Sequence, residues 1–288
     1  MAELLRPFDF EFFRNGLMVA TMAGALCGLV GVYVVLKGMS YIGHGLSHAI
    51  FGGFAASTLL GINFLLGAGA WGVASALMIN GVTRRRVIGS DAAIGVITTA
   101  SFALGLALFA FFDGEGGSFD AALFGSILGV GTQDVIAIAV VCVLVVTLIF
   151  FRYRALLFTT FDPEVAEVSG VNTARLDALL MLILAGSILA TMKILGVTLI
   201  AAALVIPAAV ARMLTNSFSR MLWMSSLIGA SCGFVGMNLS YHLDVQSGPT
   251  IVLVCATVFG LVFMATGPLG RRPTAGLRRA RAAAAHAD

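Results

Sequence analysis

Charge is what this sequence lacks most. Asp, Glu, Lys and Arg together supply 11% of its 288 residues, whereas a soluble domain carries about 25%. Four long stretches hold none of them: Lys37 to Arg84, Asp91 to Asp113, Arg220 to Asp244, and Asp244 to Arg271. A helix needs about 20 mostly apolar residues to cross roughly 30 Å of hydrocarbon, and each of these gaps holds at least one such run. Lysine is nearly missing, with only Lys37 and Lys193, preceded by Leu36 and Met192. A phosphate-binding loop demands Gly-Lys followed by Ser or Thr, so the chain carries no such loop. The four cysteines, Cys27, Cys142, Cys232 and Cys255, lie in apolar stretches without the paired spacings of a metal site. They read as small core residues, and no disulfide is implied.

What remains is apolar and small. Hydrophobic residues make up 59% of the chain, mean hydropathy is +1.02, and 34 glycines suit close helix–helix approach in a bilayer. The expected fold is an all-α integral membrane protein, a polytopic bundle of eight or nine transmembrane helices. Apolar runs predict helices over 16–36, 43–60, 62–82, 92–112, 134–151, 172–192, 194–212, 218–240 and 248–268. The count falls to eight if one of the pair between Ser40 and Val82 does not cross. Phe119–Gly131 is too short to span and reads as a re-entrant or interfacial helix, tolerable at depth only where protein or a wet cavity receives its backbone. Residues 1–15 form an N-terminal segment whose acids, Arg6, Arg14 and four Phe are unlike a signal peptide, so the first span stays as an anchor. The transmembrane domain covers 16–268, and 269–288 is a basic tail. That tail reads as a solvated extension, with contact at an anionic lipid surface as the alternative.

Lys and Arg in short loops prefer the cytoplasm. Arg84, Arg85 and Arg86, then Arg152 and Arg154, then Arg212 and Arg220, and the tail arginines are separated by two helices each. All four groups therefore share one side, which places the C-terminus in the cytoplasm. The intervening loops carry Asp113, Glu115 and Asp120, then His242 and Asp244. These outer groups could attract or pass cations, or serve only to solvate loops. Asp91 opens a span, where a capping role suffices.

Ser40–Gly53, SYIGHGLSHAIFGG, is the most informative segment for chemistry. His44 and His48 stand four apart and share one helix face. Neutral imidazole suits zinc, copper, nickel or iron better than magnesium or calcium, and an ionisable residue within a span is a functional candidate by default. Two ligands fall short of the four a tight zinc site wants. A conduit, however, must release what it holds, so the pair reads as transient metal ligands rather than rings bonding neighbouring helices. A zinc protease of the usual kind needs Glu after the first His; position 45 is glycine.

Phe158–Gly170, FTTFDPEVAEVSG, is an acidic island on the basic-loop side. Asp162 followed by Pro163 specifies a helix start, Glu164 and Glu167 favour its early turns, Gly170 can end it and Asn172 can cap the next span. These residues specify a short amphipathic helix across the cytoplasmic face, the obvious socket for a separate ATPase if transport is ATP-driven. In Lys193–Arg212, Pro207 removes a backbone bond and should kink or interrupt its span. Lys193 lies near the outer end, placed to snorkel or pair with an outer acid.

In order along the chain, GLSHAIFGG, SDAAIGVITTASFALGL, LFGSILGV, FDPEVAEVSGVNTARLD, KILGVTLIAAALVIPAAVAR and SGPTIVLV resemble segments of the zinc/manganese/iron ABC-transporter permease family, a match from about Leu17 to Gly267. The resemblance implies a homodimeric permease in a bacterial cell membrane, two cytoplasmic ABC ATPases beneath it, and a periplasmic or lipid-anchored metal-binding protein outside. It implies a coupling helix over about 161–170, carried by Phe161, Asp162, Pro163, Glu164, Glu167 and Gly170, and no permanently bound cofactor. His48 matches the family's metal-path histidine. His44 falls where many members carry aspartate, a change that favours zinc over manganese. Ser90 sits where an acid is common, so no metal role passes to Asp91. The reading is an importer of zinc, with manganese or iron as alternatives. An ion-gradient-driven carrier is the more distant one, because such carriers place acids within their spans.

Overall fold

A computed structural model describes residues 6–85, 90–111, 119–126 and 128–266. Among these, nine long helices and two short ones follow a 3-10 turn at Arg6–Asp9. They are α1 (Glu11–Leu36), α2 (Ser40–Leu59), α3 (Phe64–Arg85), α4 (Ser90–Phe111), α5 (Phe119–Phe124), α6 (Thr132–Phe161), α7 (Pro163–Val168), α8 (Thr173–Leu195), α9 (Ile200–Leu214), α10 (Phe218–Leu243) and α11 (Ser247–Thr266). Helix is the expected solution: in hydrocarbon a segment must satisfy its own backbone donors and acceptors.

Six helices, α1, α3, α6, α8, α10 and α11, are each long and apolar enough to cross a membrane by themselves. Ile94–Leu108 of α4 and Ile200–Leu214 of α9 are shorter apolar segments. Neither α2 nor α3, the pair in question at the sequence level, is missing, and they run antiparallel. A Cβ on Gly53 would meet Ala68 and Trp71, while one on Gly72 would meet Ile50. Helix α2 holds two histidines and three serines, yet most of Ile42–Phe51 is buried. A helix this polar is carried inside by its neighbours rather than by its own hydropathy.

The bundle is organised about α1. Of its apolar window 67% is buried, against 17% for α6. Helix α10 packs along it antiparallel with backbone touching backbone: a Cβ on Gly24 would fall against the Gly229 carbonyl, and one on Gly229 against the Gly24 carbonyl. Ser225 Oγ donates to the Gly28 carbonyl at 2.6 Å in the same seam. Two side-chain ties fix the direction of α1. Thr132 Oγ1 donates to Glu11 Oε1 at 3.5 Å, and Lys37 Nζ meets Asp177 Oδ1 at 2.6 Å. The start of α1 therefore shares a face with the start of α6, and its end shares the opposite face with the start of α8.

The structure moves several expected boundaries. Helix α6 runs on to Phe161 instead of ending near 151. Its 30 residues span about 45 Å at 1.5 Å per residue, longer than the hydrocarbon, so helix and apolar run are different lengths. Helix α9 is continuous through Pro207, and the interruption falls earlier, at residues 196–199. The short helix expected over 119–131 is formed only as Phe119–Phe124. Its end and the α8–α9 break meet each other. Ser126 N–H donates to the Lys193 carbonyl (3.0 Å), Val197 N–H to that of Ala122 (3.1 Å) and Thr198 N–H to that of Leu123 (3.2 Å). Ser247 Oγ donates to the Ile194 carbonyl at 2.8 Å. Two broken segments thus satisfy one another's backbone groups, as buried irregular backbone requires. The tail expected over 269–288 lies outside the described residues.

Candidate metal path and coupling surface

His44 and His48 come together as the helical spacing requires. Their Nε2 atoms lie 3.2 Å apart with the rings edge to face. Bonds of about 2.0–2.1 Å at a tetrahedral angle hold two imidazole nitrogens about 3.3 Å apart, so the pair is preset close to a chelating distance. In the neutral pair one Nε2–H can donate to the other nitrogen; with both protons on Nδ1, each Nε2 keeps a lone pair. His44 is exposed and His48 half-buried against Phe102 of α4, ring centroids 4.5 Å apart. Gly45 and Gly52 flank His48 on the same face and seat α2 on α4: added Cβ atoms would meet Thr98 and Ile94, and the Ser101 backbone. His48 Nδ1 is buried without a hydrogen-bond partner among the described residues. Metal-binding histidines usually donate this second nitrogen to a neighbour, which orients the ring and strengthens the ligand. Without this partner, a metal bound at His48 would be held more weakly and less rigidly. Among the described residues no group of three or more His, Cys, Asp or Glu side chains could hold an ion.

The acidic island folds as its local chemistry specifies. Asp162 Oδ1 accepts from Val165 N–H at 3.0 Å and caps α7, with Pro163 in its first turn. Gly170 has φ +82 and ends the segment; Asn172 Oδ1 then accepts from Arg175 N–H at 3.0 Å and caps α8. Only Ala166 of α7 is buried. Phe161, Val165 and Val168 are exposed beside Glu164 and Glu167, with Val168 at 90% exposure. Apolar side chains ringed by acids and held outward on a capped helix form a surface suited to a protein groove.

The outer groups do not assemble into a site that the structure describes. Asp113 and Glu115 lie outside the described residues, and Asp120 stands on α5. His242 Nδ1–H donates to its own helix at Asn238 O (2.8 Å), and Asp244 closes α10 in a left-handed conformation. Those two are exposed groups at a helix end. Two acids that the sequence reading left unused carry clear contacts instead. Asp134 Oδ2 accepts from Gly131 N–H (3.0 Å) and its Oδ1 meets Lys193 at 2.6 Å, so Lys193 pairs with an outer acid as expected. Asp177 binds Lys37. The first was findable from an acid three residues after a glycine at a span start; the second joins residues too far apart for any local signal.

The sequence profile of the ABC 3 transport family matches residues 9–266, nearly all of the described bundle. The chain belongs to that family. This ABC 3 family protein is therefore a membrane component of an ABC transporter. It is 34% identical over 256 residues to a protein of Listeria innocua named manganese transport system membrane protein MntC, covering 89% of this chain and 91% of that one. A probable iron transport system membrane protein of Haemophilus influenzae is 36% identical over 256 residues, covering 89% of this chain and 94% of the relative. The fold is similar to a chain in a solved structure described as PsaBC from Streptococcus pneumoniae in complex with Fab. There the TM-score is 0.85 and the identity 33%, over 94% of this chain and 97% of that one.

Proposed function

We propose that this permease forms the membrane pathway of an ATP-driven importer of a divalent first-row transition-metal ion in a bacterial cell membrane, with zinc as its cargo. The observation that carries the reading is the pair of Nε2 atoms 3.2 Å apart on a helix enclosed by other helices. Two nitrogens at chelating distance, one lacking a second-nitrogen partner, hold a cation briefly and give it up. Imidazole in place of carboxylate at position 44 favours zinc, a borderline metal. The names of the relatives favour a second reading, manganese or iron.

The force comes from separate ATPase subunits seated on α7, at the face shared by the arginine-bearing ends of α6 and α9, which is cytoplasmic by the distribution of basic residues. The C-terminus then lies on that side. A binding protein delivers the ion to the opposite face, and two copies of the chain enclose the pathway. Movement of α7 rocks the helices so that the His44/His48 face opens outward, closes, and opens inward.

Vesicles holding the permease with its co-purified ATPase test this. Uptake of the ion is expected to stop without ATP and to continue when ionophores collapse ion gradients; the reverse pattern would identify a secondary carrier. Competition between zinc, manganese and iron decides the cargo. The double variant Glu164→Ala/Glu167→Ala is expected to keep ATP hydrolysis while lowering metal moved per ATP about tenfold, inside the range that coupling free energies span. An unchanged ratio removes α7 as the docking helix.

A further inference from the structure

Between the coupling surface and the histidine pair lies one short piece of α1. Its last turn, Tyr33 to Lys37, is gripped from two sides by groups next to the coupling segment, Asp177 of α8 and Phe218 of α10. On one side Lys37 Nζ binds Asp177 Oδ1 at 2.6 Å, with the two side chains only 12% and 31% exposed. Asp177 stands just over one turn beyond Asn172, the α8 cap, which follows the end of α7 by a four-residue link. On the other side Phe161, the residue before the α7 cap, contacts Phe218 with centroids 5.8 Å apart. Phe218 in turn packs edge-on against the buried Tyr33 ring at 5.5 Å, with Tyr153 at 5.8 Å beside it.

The same turn is joined tightly to the histidine helix. Lys37 N–H donates to the Tyr33 carbonyl (3.0 Å), Gly38 takes φ +67, and Met39 N–H returns to the Val34 carbonyl at 2.8 Å. The Ile42 N–H then bonds the Met39 carbonyl at 2.9 Å, so α2 begins without slack and His44 sits in its second turn. A helix end closed by a left-handed glycine and two return hydrogen bonds is a stiff corner. Displacement of the end of α1 is carried directly into the start of α2.

We propose that this turn is the intramolecular lever of the transporter, with Lys37 and Asp177 as positioning residues that pass motion of α7 to the His44/His48 face. The proposal rests on the reading of α7 as the ATPase-docking helix. An ion pair suits the task because it is directional and, partly shielded from water, stronger than an exposed one. The aromatic arm adds a second contact that resists compression.

The test uses the permease assembled with its ATPase, measuring metal moved per ATP hydrolysed. Lys37→Met and Asp177→Asn are expected to leave assembly, melting temperature in detergent and ATP hydrolysis near those of the parent, while the ratio falls about tenfold, in the range of measured coupling energies. Lys37→Arg, which keeps the charge and a donor for the carboxylate, is expected to retain the ratio; Phe218→Ala is expected to lower it. Parental ratios in Lys37→Met and Asp177→Asn overturn the lever. So does a Lys37→Arg protein as uncoupled as Lys37→Met, because packing rather than the ion pair would then be at work. Loss of the ATPase from the complex also overturns it, assigning the pair to docking. The Glu164→Ala/Glu167→Ala protein, run in parallel, reports separately on α7: a normal ratio there defeats the docking reading whatever the Lys37 variants show.

Discussion

Uptake is expected to fall about 100-fold when both imidazoles are removed as His44→Ala/His48→Ala, since even a second-shell change at a metal site costs 10–100-fold. The loss follows from geometry. With Nε2 atoms 3.2 Å apart the two rings act as one chelate, and deleting either leaves a single ligand that water can replace. The single variants are therefore expected to lose nearly as much as the double. Because His44 is exposed and His48 half-buried beside Phe102, truncation leaves no large void, and the protein should still fold and bind its ATPase. Radiolabelled metal uptake into vesicles, set beside ATP hydrolysis in the same preparation, makes the measurement. A doubly substituted protein that transports at the parental rate would show that the cation passes elsewhere.

The second large effect concerns assembly of the bundle. Along the α1–α10 seam the Gly24 and Gly229 backbones touch, and a side chain on either meets a carbonyl rather than a flexible neighbour. Gly229→Leu must separate α10 from the most buried of the six helices able to span alone, breaking the Ser225–Gly28 hydrogen bond on the way. Overpacking a well-filled contact costs about 1–3 kcal/mol, and more where backbone cannot yield. Small residues at such seams are what hold helices together in lipid. The expected result is loss of monodisperse protein on gel filtration in detergent and a collapse of the melting transition. Gly260→Ala, at a position open to its surroundings, serves as the control and should melt like the parent. A Gly229→Leu protein that purifies and melts normally would mean that this seam does not hold the bundle.

Some features were legible in the residues alone, and for one reason: each depends on a single segment and its solvent. A run without charge must leave water, so eight or nine spans were expected, and nine long helices occur among the described residues, six of them long and apolar enough to cross alone. Asp162 and Asn172 cap through their own side chains to nitrogens three residues on, and so α7 and the start of α8 fall where they were expected. The His44–His48 contact needs only a helical pitch. Where a helix outlasts its apolar run, as α6 does past Arg152 and Arg154, hydropathy marks the membrane edge and misses the helix end.

The rest required tertiary structure because it depends on which segments meet. Nothing near Lys37 announces Asp177, 140 positions away, and nothing near Gly24 announces Gly229. A boundary was expected at 193 and falls at 196–199, where the backbone is satisfied by residues around Leu123 that no local rule supplies. Composition and the order of residues by themselves determined that the chain lives in lipid, that its long apolar runs are helices, and where two imidazoles share a face. Packing alone decided which helix lies against His48 and which contacts tie that face to the coupling segment, because close approach in a bilayer is set by the absence of side chains on both partners at once.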